Sequence, residues 1–157
     1  MKTLIKANEL IFHNLTYNNM IYKWLVTCSM KKDLNRIGVN HCGCVITQNG
    51  QEDELRDEDW IVDVYYDKTG YEMFKNEWNY HKGLLFHFKG FRIRLLMSRM
   101  GILRDYLKRH FSDKRFVIIG LICENEMQVR FHENREDEAW LASDIDGYKD
   151  EEVIVLY

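Results

Sequence analysis

The sequence predicts an α+β fold: a mixed, mainly antiparallel sheet with helices packed on it, with residues 1–157 forming a single domain. Three observations near the C-terminal end carry this reading. Residues 116–123 are an apolar run rich in β-branched side chains, which suits a strand buried on both faces. After the polar break Glu124-Asn125-Glu126, Met127, Val129 and Phe131 alternate with Gln128, Arg130 and His132, the period-two mark of a half-buried strand, so the two runs make a hairpin. Residues 153–156 supply a further apolar strand, reached through an acidic connection that holds one large apolar anchor, Trp140-Leu141.

The remaining elements follow in chain order. Residues 1–15 read as a short strand or irregular entry. From Asn18 the pattern turns helical, with Ile21, Trp24, Leu25 and Cys28 on one face, Asn18 or Asn19 as cap and Gly38 as stop. Residues 39–47 suit a strand ending in the turn Gln48-Asn49-Gly50. Residues 51–59 are almost wholly charged and must be exposed. Residues 60–66 alternate well enough for a strand, and Asp67-Lys68-Thr69-Gly70 turns the chain. Residues 71–81 look helical, with Phe74, Trp78 and His81 on one side. Residues 84–96 fit a hairpin about Lys89-Gly90, and they also fit a helix; the hairpin is the preferred expectation. From Met97 to Phe111 the helix is firmer, with Met100, Leu103, Leu107 and Phe111 sharing a face and Ser98 as cap.

Composition narrows the function classes. At 46% hydrophobic and 13% aromatic, the 157 residues have ample material for a core. A chain of this length buries roughly two thirds of its unfolded surface, so an ordered domain is expected. No apolar run approaches the roughly 20 residues of a membrane span. The opening apolar run is broken by Lys6, Asn8 and Glu9, which argues against a signal peptide, so a cytoplasmic location with reduced thiols at Cys28, Cys42, Cys44 and Cys123 is expected. Charge is distributed in blocks. Net charge is +4 over residues 1–49, -7 over 50–80, +8 over 81–115 and -8 over 116–157.

Signatures of chemistry are weak. His41-Cys42-Gly43-Cys44 offers zinc-type ligands, but they are adjacent and no second cluster follows, so buried thiols beside a close-packed glycine are the expectation and no metal is assigned. Asp144-Ile145-Asp146-Gly147 begins like a calcium loop, yet its fifth position is Tyr148 and its twelfth Val155, which makes it an acidic turn. His132-Glu133, His81 and His87 are the places to look for acid–base work. There is no nucleophile turn and no phosphate loop, so no catalytic residue and no cofactor is assigned.

Two surfaces remain. Residues 82–115 interleave ten cations with Phe86, Phe88 and Phe91, a composition that could grip phosphates while aromatics stack on bases. The acidic flanks would repel a polyanion and argue against nucleic acid. The acidic runs are the stronger candidate. Glu52, Asp53, Glu54, Asp57, Glu58 and Asp59 form one, beside Trp60. Glu133, Glu136, Asp137, Glu138, Asp144 and Asp146 form the other. Exposed loops are often acidic, but two such runs in one small domain suit a surface that meets a basic protein, with steering by charge and anchoring by an aromatic such as Trp60 or Trp140.

The ending QVRFHENREDEAWLASDIDGYKDEEVIVLY resembles that of many small bacterial immunity proteins of contact-dependent growth inhibition and related polymorphic-toxin systems: a strand, a charged turn, a Trp-Leu and an acidic segment leading to a last strand. The resemblance covers about 30 residues. It implies a cytosolic, non-enzymatic protein that binds the toxic C-terminal domain of one cognate effector. Many such toxins are nucleases with basic substrate sites, which acidic patches would suit by imitating phosphate. The alternatives are a nucleic-acid-binding regulator using residues 82–115 and an enzyme of unfamiliar kind.

Overall fold

A computed structural model describes residues 5–7, 20–49, 57–81, 89–123, 126–138 and 152–157. Among them the chain runs β1 (Ile5–Ala7), α1 (Met20–Leu34), β2 (Ile37–Val39), β3 (Val45–Thr47), α2 (Glu58–Tyr65), α3 (Lys68–Lys75), β4 (Trp78–His81), α4 (Lys89–His110), β5 (Phe116–Ile122), β6 (Glu126–Glu133) and β7 (Glu152–Leu156). The fold is α+β. Five strands form an antiparallel sheet in the order β1-β7-β5-β6-β4, and β2 and β3 form a separate antiparallel hairpin.

The expected β5–β6 hairpin is present, with Ile118 opposite Phe131 and Ile122 opposite Met127. β5 is central, and alternation sends its residues to two faces. Ile118 and Ile122 join Met127, Val129, Phe131, Ile154 and Leu156 in the main core. Val117 and Ile119 pack with Val153, Val155 and Met73 of α3 on the opposite face. The main core is closed by α1 and α4. Ile93, Leu96, Met97, Met100, Leu103 and Leu107 recur at helical spacing along α4 and are all buried. Gly120 lies where α4 comes closest: a Cβ there would stand 2.5 Å from Met100 Sδ and 3.0 Å from Leu96 Cδ2.

Several expectations change. Residues 89–96 are the first two turns of α4 rather than half of a hairpin; the pattern Phe91, Ile93, Leu95 matched period two, but Ile93, Leu96, Met97 and Met100 supply the stripe that buries. Residues 84–88 lie outside the described residues. Ser98 is therefore mid-helix and caps nothing. Residues 60–66 are helical, not a strand: Asp57 caps α2 by accepting from Trp60 N at 2.8 Å, Ile61 is buried, and Val62 and Val64 are exposed. The helix expected over 71–81 divides into α3 and β4, so Trp78 is a strand residue and Phe74 is exposed. Residues 39–47 are a hairpin, whose turn Asn40–Cys44 holds Gly43 at φ +80°. In α1 the buried face is Val26, Met30 and Leu34, spaced by four, and Cys28 is exposed. Of the other residues expected on that face, the side chains of Ile21, Trp24 and Leu25 lie outside the described set. α1 stops at Leu34 because Ile37 and Gly38 enter β2.

The β2–β3 hairpin is joined to the large sheet through two side chains of α3. Asn76 Oδ1 accepts from Thr47 N at 2.7 Å, and its Nδ2 donates to Val45 O at 2.8 Å and Phe131 O at 3.0 Å. One turn earlier, Glu72 accepts from Val45 N at 2.8 Å and Glu133 N at 2.7 Å. β4 leaves β6 at Trp78, opposite Val129, so Phe131 O and Glu133 N have no strand partner there. A carboxylate and an amide at i and i+4 replace the missing ladder. Both residues are fully buried, so each backbone group they satisfy would otherwise cost about 1–3 kcal/mol.

Candidate protein-binding surface

The helices α2 and α3 meet at a tight corner. Tyr66, the residue that ends α2, has φ +71°, and Asp67 then caps α3 by accepting from Gly70 N at 2.6 Å. Gly70 is required by this joint. A Cβ there would lie 2.5 Å from the Tyr65 carbonyl oxygen, a backbone atom that cannot yield easily. Inside the corner, Tyr65 and Tyr71 pack with ring centroids 5.2 Å apart over Ile61, Ile46 and Cys44. Outside it, Tyr66 is 89% exposed and Phe74 60% exposed, with Val62 and Val64 also outward. Phe74 stays ordered against Tyr65, 5.3 Å between centroids.

The acidic runs converge on this corner. Asp57, Glu58, Asp59 and Asp63 of α2 are exposed, and Glu58 reaches Lys68 in the first turn of α3 at 3.1 Å. Glu138, from the second run, accepts from Thr69 N at 2.9 Å and Thr69 Oγ1 at 2.6 Å. Residues about 80 positions apart in sequence are thus held at adjacent positions of one helix N-terminus, where negative charge is favoured by the helix dipole. Glu136 and Asp137 are exposed next to Glu138.

Other predicted site residues are placed differently. Glu133 turns inward to Lys114 Nζ at 2.7 Å and Arg135 at 3.0 Å, so it serves the structure rather than a free acidic face. Trp60 is half-buried, edge-on to Tyr65 and Tyr71, and belongs to the small core. Tyr66 and Phe74 take the exposed aromatic role expected of Trp60. The Tyr65-Tyr66 pair announced one outward aromatic without saying which, because the positive φ that ends α2 has no local signal. Glu52, Asp53, Glu54, Asp144 and Asp146 lie outside the described residues, as do Trp140, His87 and the side chain of His81.

Arg135 is the charge at the centre of the inward network. It makes a bidentate pair with Glu72, 2.9 and 3.0 Å, and also meets Thr69 Oγ1 at 3.2 Å. Burial would lower its pKa, but the hydrogen bonds and charge of Glu72, with Glu133 and Glu138, raise it overall. His132 is buried beside this network, and burial pulls its imidazole below the usual range against the opposing pull of the Glu133 carbonyl and the Glu72 charge.

Neither Cys42 nor Cys44 is activated. Burial, reinforced by Glu72, pushes Cys44 up to about 12. Cys42 lies 3.3 Å from His41 Nε2, yet its pKa is raised rather than lowered, chiefly by burial, the reverse of what a thiolate nucleophile needs. Among the described residues, no group of His, Cys, Asp and Glu could hold a metal ion, and no helix is long and apolar enough to cross a membrane. In the basic stretch, Arg99 is buried flat on the Tyr80 ring at 3.5 Å and Arg104 pairs with Asp105 at 2.8 Å. Those two cations are engaged within the fold.

A family model, that of the uncharacterized protein PM0498 family, matches residues 6–157. The chain belongs to that family. The PM0498 match begins within β1 and runs through β7, the two strands that pair with each other, so every described element after β1 falls wholly inside it. No curated protein and no solved structure matches the chain. The PM0498 family name states no activity.

Proposed function

We propose that this chain is a non-enzymatic, cytoplasmic binding protein that captures a basic protein partner at the α2–α3 corner. The partner class suggested by the C-terminal resemblance is the toxic domain of a contact-dependent inhibition or polymorphic-toxin effector, a nuclease in the first instance. The observation that carries this reading is the exposure of Tyr66 and Phe74 beside the acids Asp57, Glu58, Asp59 and Asp63. Exposed aromatics able to bury on contact supply hot-spot energy, and surrounding acids steer a cationic partner and raise its association rate. Neutralisation then needs only occlusion of the partner's substrate surface.

The test is a pull-down from the native host with the tagged chain and with a Tyr66→Ser/Phe74→Ser variant, with mass spectrometry of what is retained. A stoichiometric basic protein held by the unmodified chain and lost by the variant is the expected result. Retention of the same partner by both would remove the corner from the interface. With the partner in hand, reversing Asp57, Glu58 and Asp59 to lysine should slow association at low salt; an unchanged rate would end the steering role.

A further inference from the structure

A second site lies at the opposite end of the sequence's basic stretch. The last turns of α4, the connection 111–115, the start of β5 and the end of β7 enclose a cavity of about 350 Å³. That size falls within the range of small-molecule sites, about 300–1,000 Å³. Its floor is apolar: Leu107, Phe116, Ile118 and Leu156. The floor is rigid, because Phe116 packs edge-on to Phe111 and Phe131 at 6.1 and 6.3 Å and Asn134 N bonds Arg115 O at 2.8 Å.

Its rim is cationic. Four basic side chains line the cavity together with Ser112, Asn134 and Tyr157, and no Asp or Glu side chain does among the described residues. Arg104 is held by Asp105, and Lys114 by Glu133. Lys108 and Arg115 are exposed and make no ion pair among the described residues. The α4 C-terminus offsets some of this charge, but the connection adds Lys114 and Arg115 beyond it. An apolar floor under two uncommitted cations is the complement of a molecule with one anionic head and an apolar body.

We infer that this cavity binds a small amphiphilic organic anion, an acyl or aryl carboxylate or its sulfonate or phosphate counterpart, with the head on Lys108 and Arg115 and the body on Leu107, Phe116, Ile118 and Leu156. The site is separate from the α2–α3 corner and does not depend on the partner proposed for it.

The test is fluorescence titration of the full chain with 8-anilinonaphthalene-1-sulfonate, which carries an anionic head on fused and single rings. Saturable one-to-one binding is expected, displaced by decanoate and not by equimolar inorganic phosphate. Lys108→Ala/Arg115→Ala should weaken it by at least about tenfold, since even one charge-assisted hydrogen bond lost is worth about a decade. Lys108→Arg/Arg115→Lys should retain it, and Ser112→Trp, an exposed residue of the cavity lining, should block it. Tyr66→Ser/Phe74→Ser should leave it unchanged. Absent binding, binding indifferent to the double alanine variant, loss in the Tyr66/Phe74 variant, or equal displacement by phosphate would each overturn the assignment.

Discussion

Carboxylates do opposite work on the two sides of α3. Glu72, facing inward, is fully buried and receives four hydrogen bonds, two from backbone N–H groups and two from Arg135. Asp57, Glu58 and Asp59, at the neighbouring corner, are exposed, and among the described residues Asp57 meets Trp60 N and Glu58 meets Lys68. The residue types are nearly the same. Desolvation separates them: a buried carboxylate must be fully paired, and pairing ties it to one geometry. An exposed one gains little from its neighbours and stays available to a partner. Acidic sequence therefore marks either a buried stitch or an exposed face, and burial decides which.

The comparison can be broken most severely from the inward side. Arg135→Met should destabilise the fold by about 3–5 kcal/mol, because it leaves Glu72 charged, buried and short of two hydrogen bonds. Chemical denaturation measures this, and a loss below about 1 kcal/mol would mean that Glu72 is rehydrated. At the joint between the two sides, Gly70→Ala should cost about 1–3 kcal/mol by driving a methyl group into the Tyr65 carbonyl. Near-neutral behaviour in the same assay would show that α2 can slide. The smallest effect concerns pH. The unfolded chain protonates His132 near 6.5, whereas the folded chain resists the proton. Stability should therefore fall as pH drops from about 6.5 toward the depressed folded value, with a slope of at most about 1.4 kcal/mol per unit from this group. His132→Gln should flatten that part of the profile, measured by denaturation at successive pH values; an unaltered slope would assign it to other groups.

The C-terminal sheet is legible because polar breaks set off β5, β6 and β7, because β5 and β7 are continuous apolar runs and because β6 alternates. The start of α4 was not, since Phe91, Ile93 and Leu95 satisfy period two as readily as helical spacing. α2 is hidden for a related reason: the run Ile61, Val62, Val64 is β-branched, and only the Asp57 cap, one of a row of acids, marks a helix start. The acidic runs were legible as surface and their convergence on α3 was not. Nothing local says that Glu138 meets Thr69, or that Glu133 belongs to Lys114 and Arg135. The Glu72 and Asn76 stitch was equally hidden, because its partners lie 27 to 61 residues away.

β7 occupies the interior of the sheet, between β1 and β5, with Leu156 opposite both Ile5 and Ile118. During synthesis the ribosome releases β1 first and β7 last of the described strands, and β1 has no place to dock until β7 has been inserted. The nascent chain can form α1, α4 and the β5–β6 hairpin on its own schedule, but it must carry two unpaired strand edges until β7 has been made. Those edges can be matched by a neighbouring nascent chain as well as by β7. Expression conditions that slow elongation just before the codons of β7 should therefore raise the insoluble fraction, even though the finished fold is unchanged.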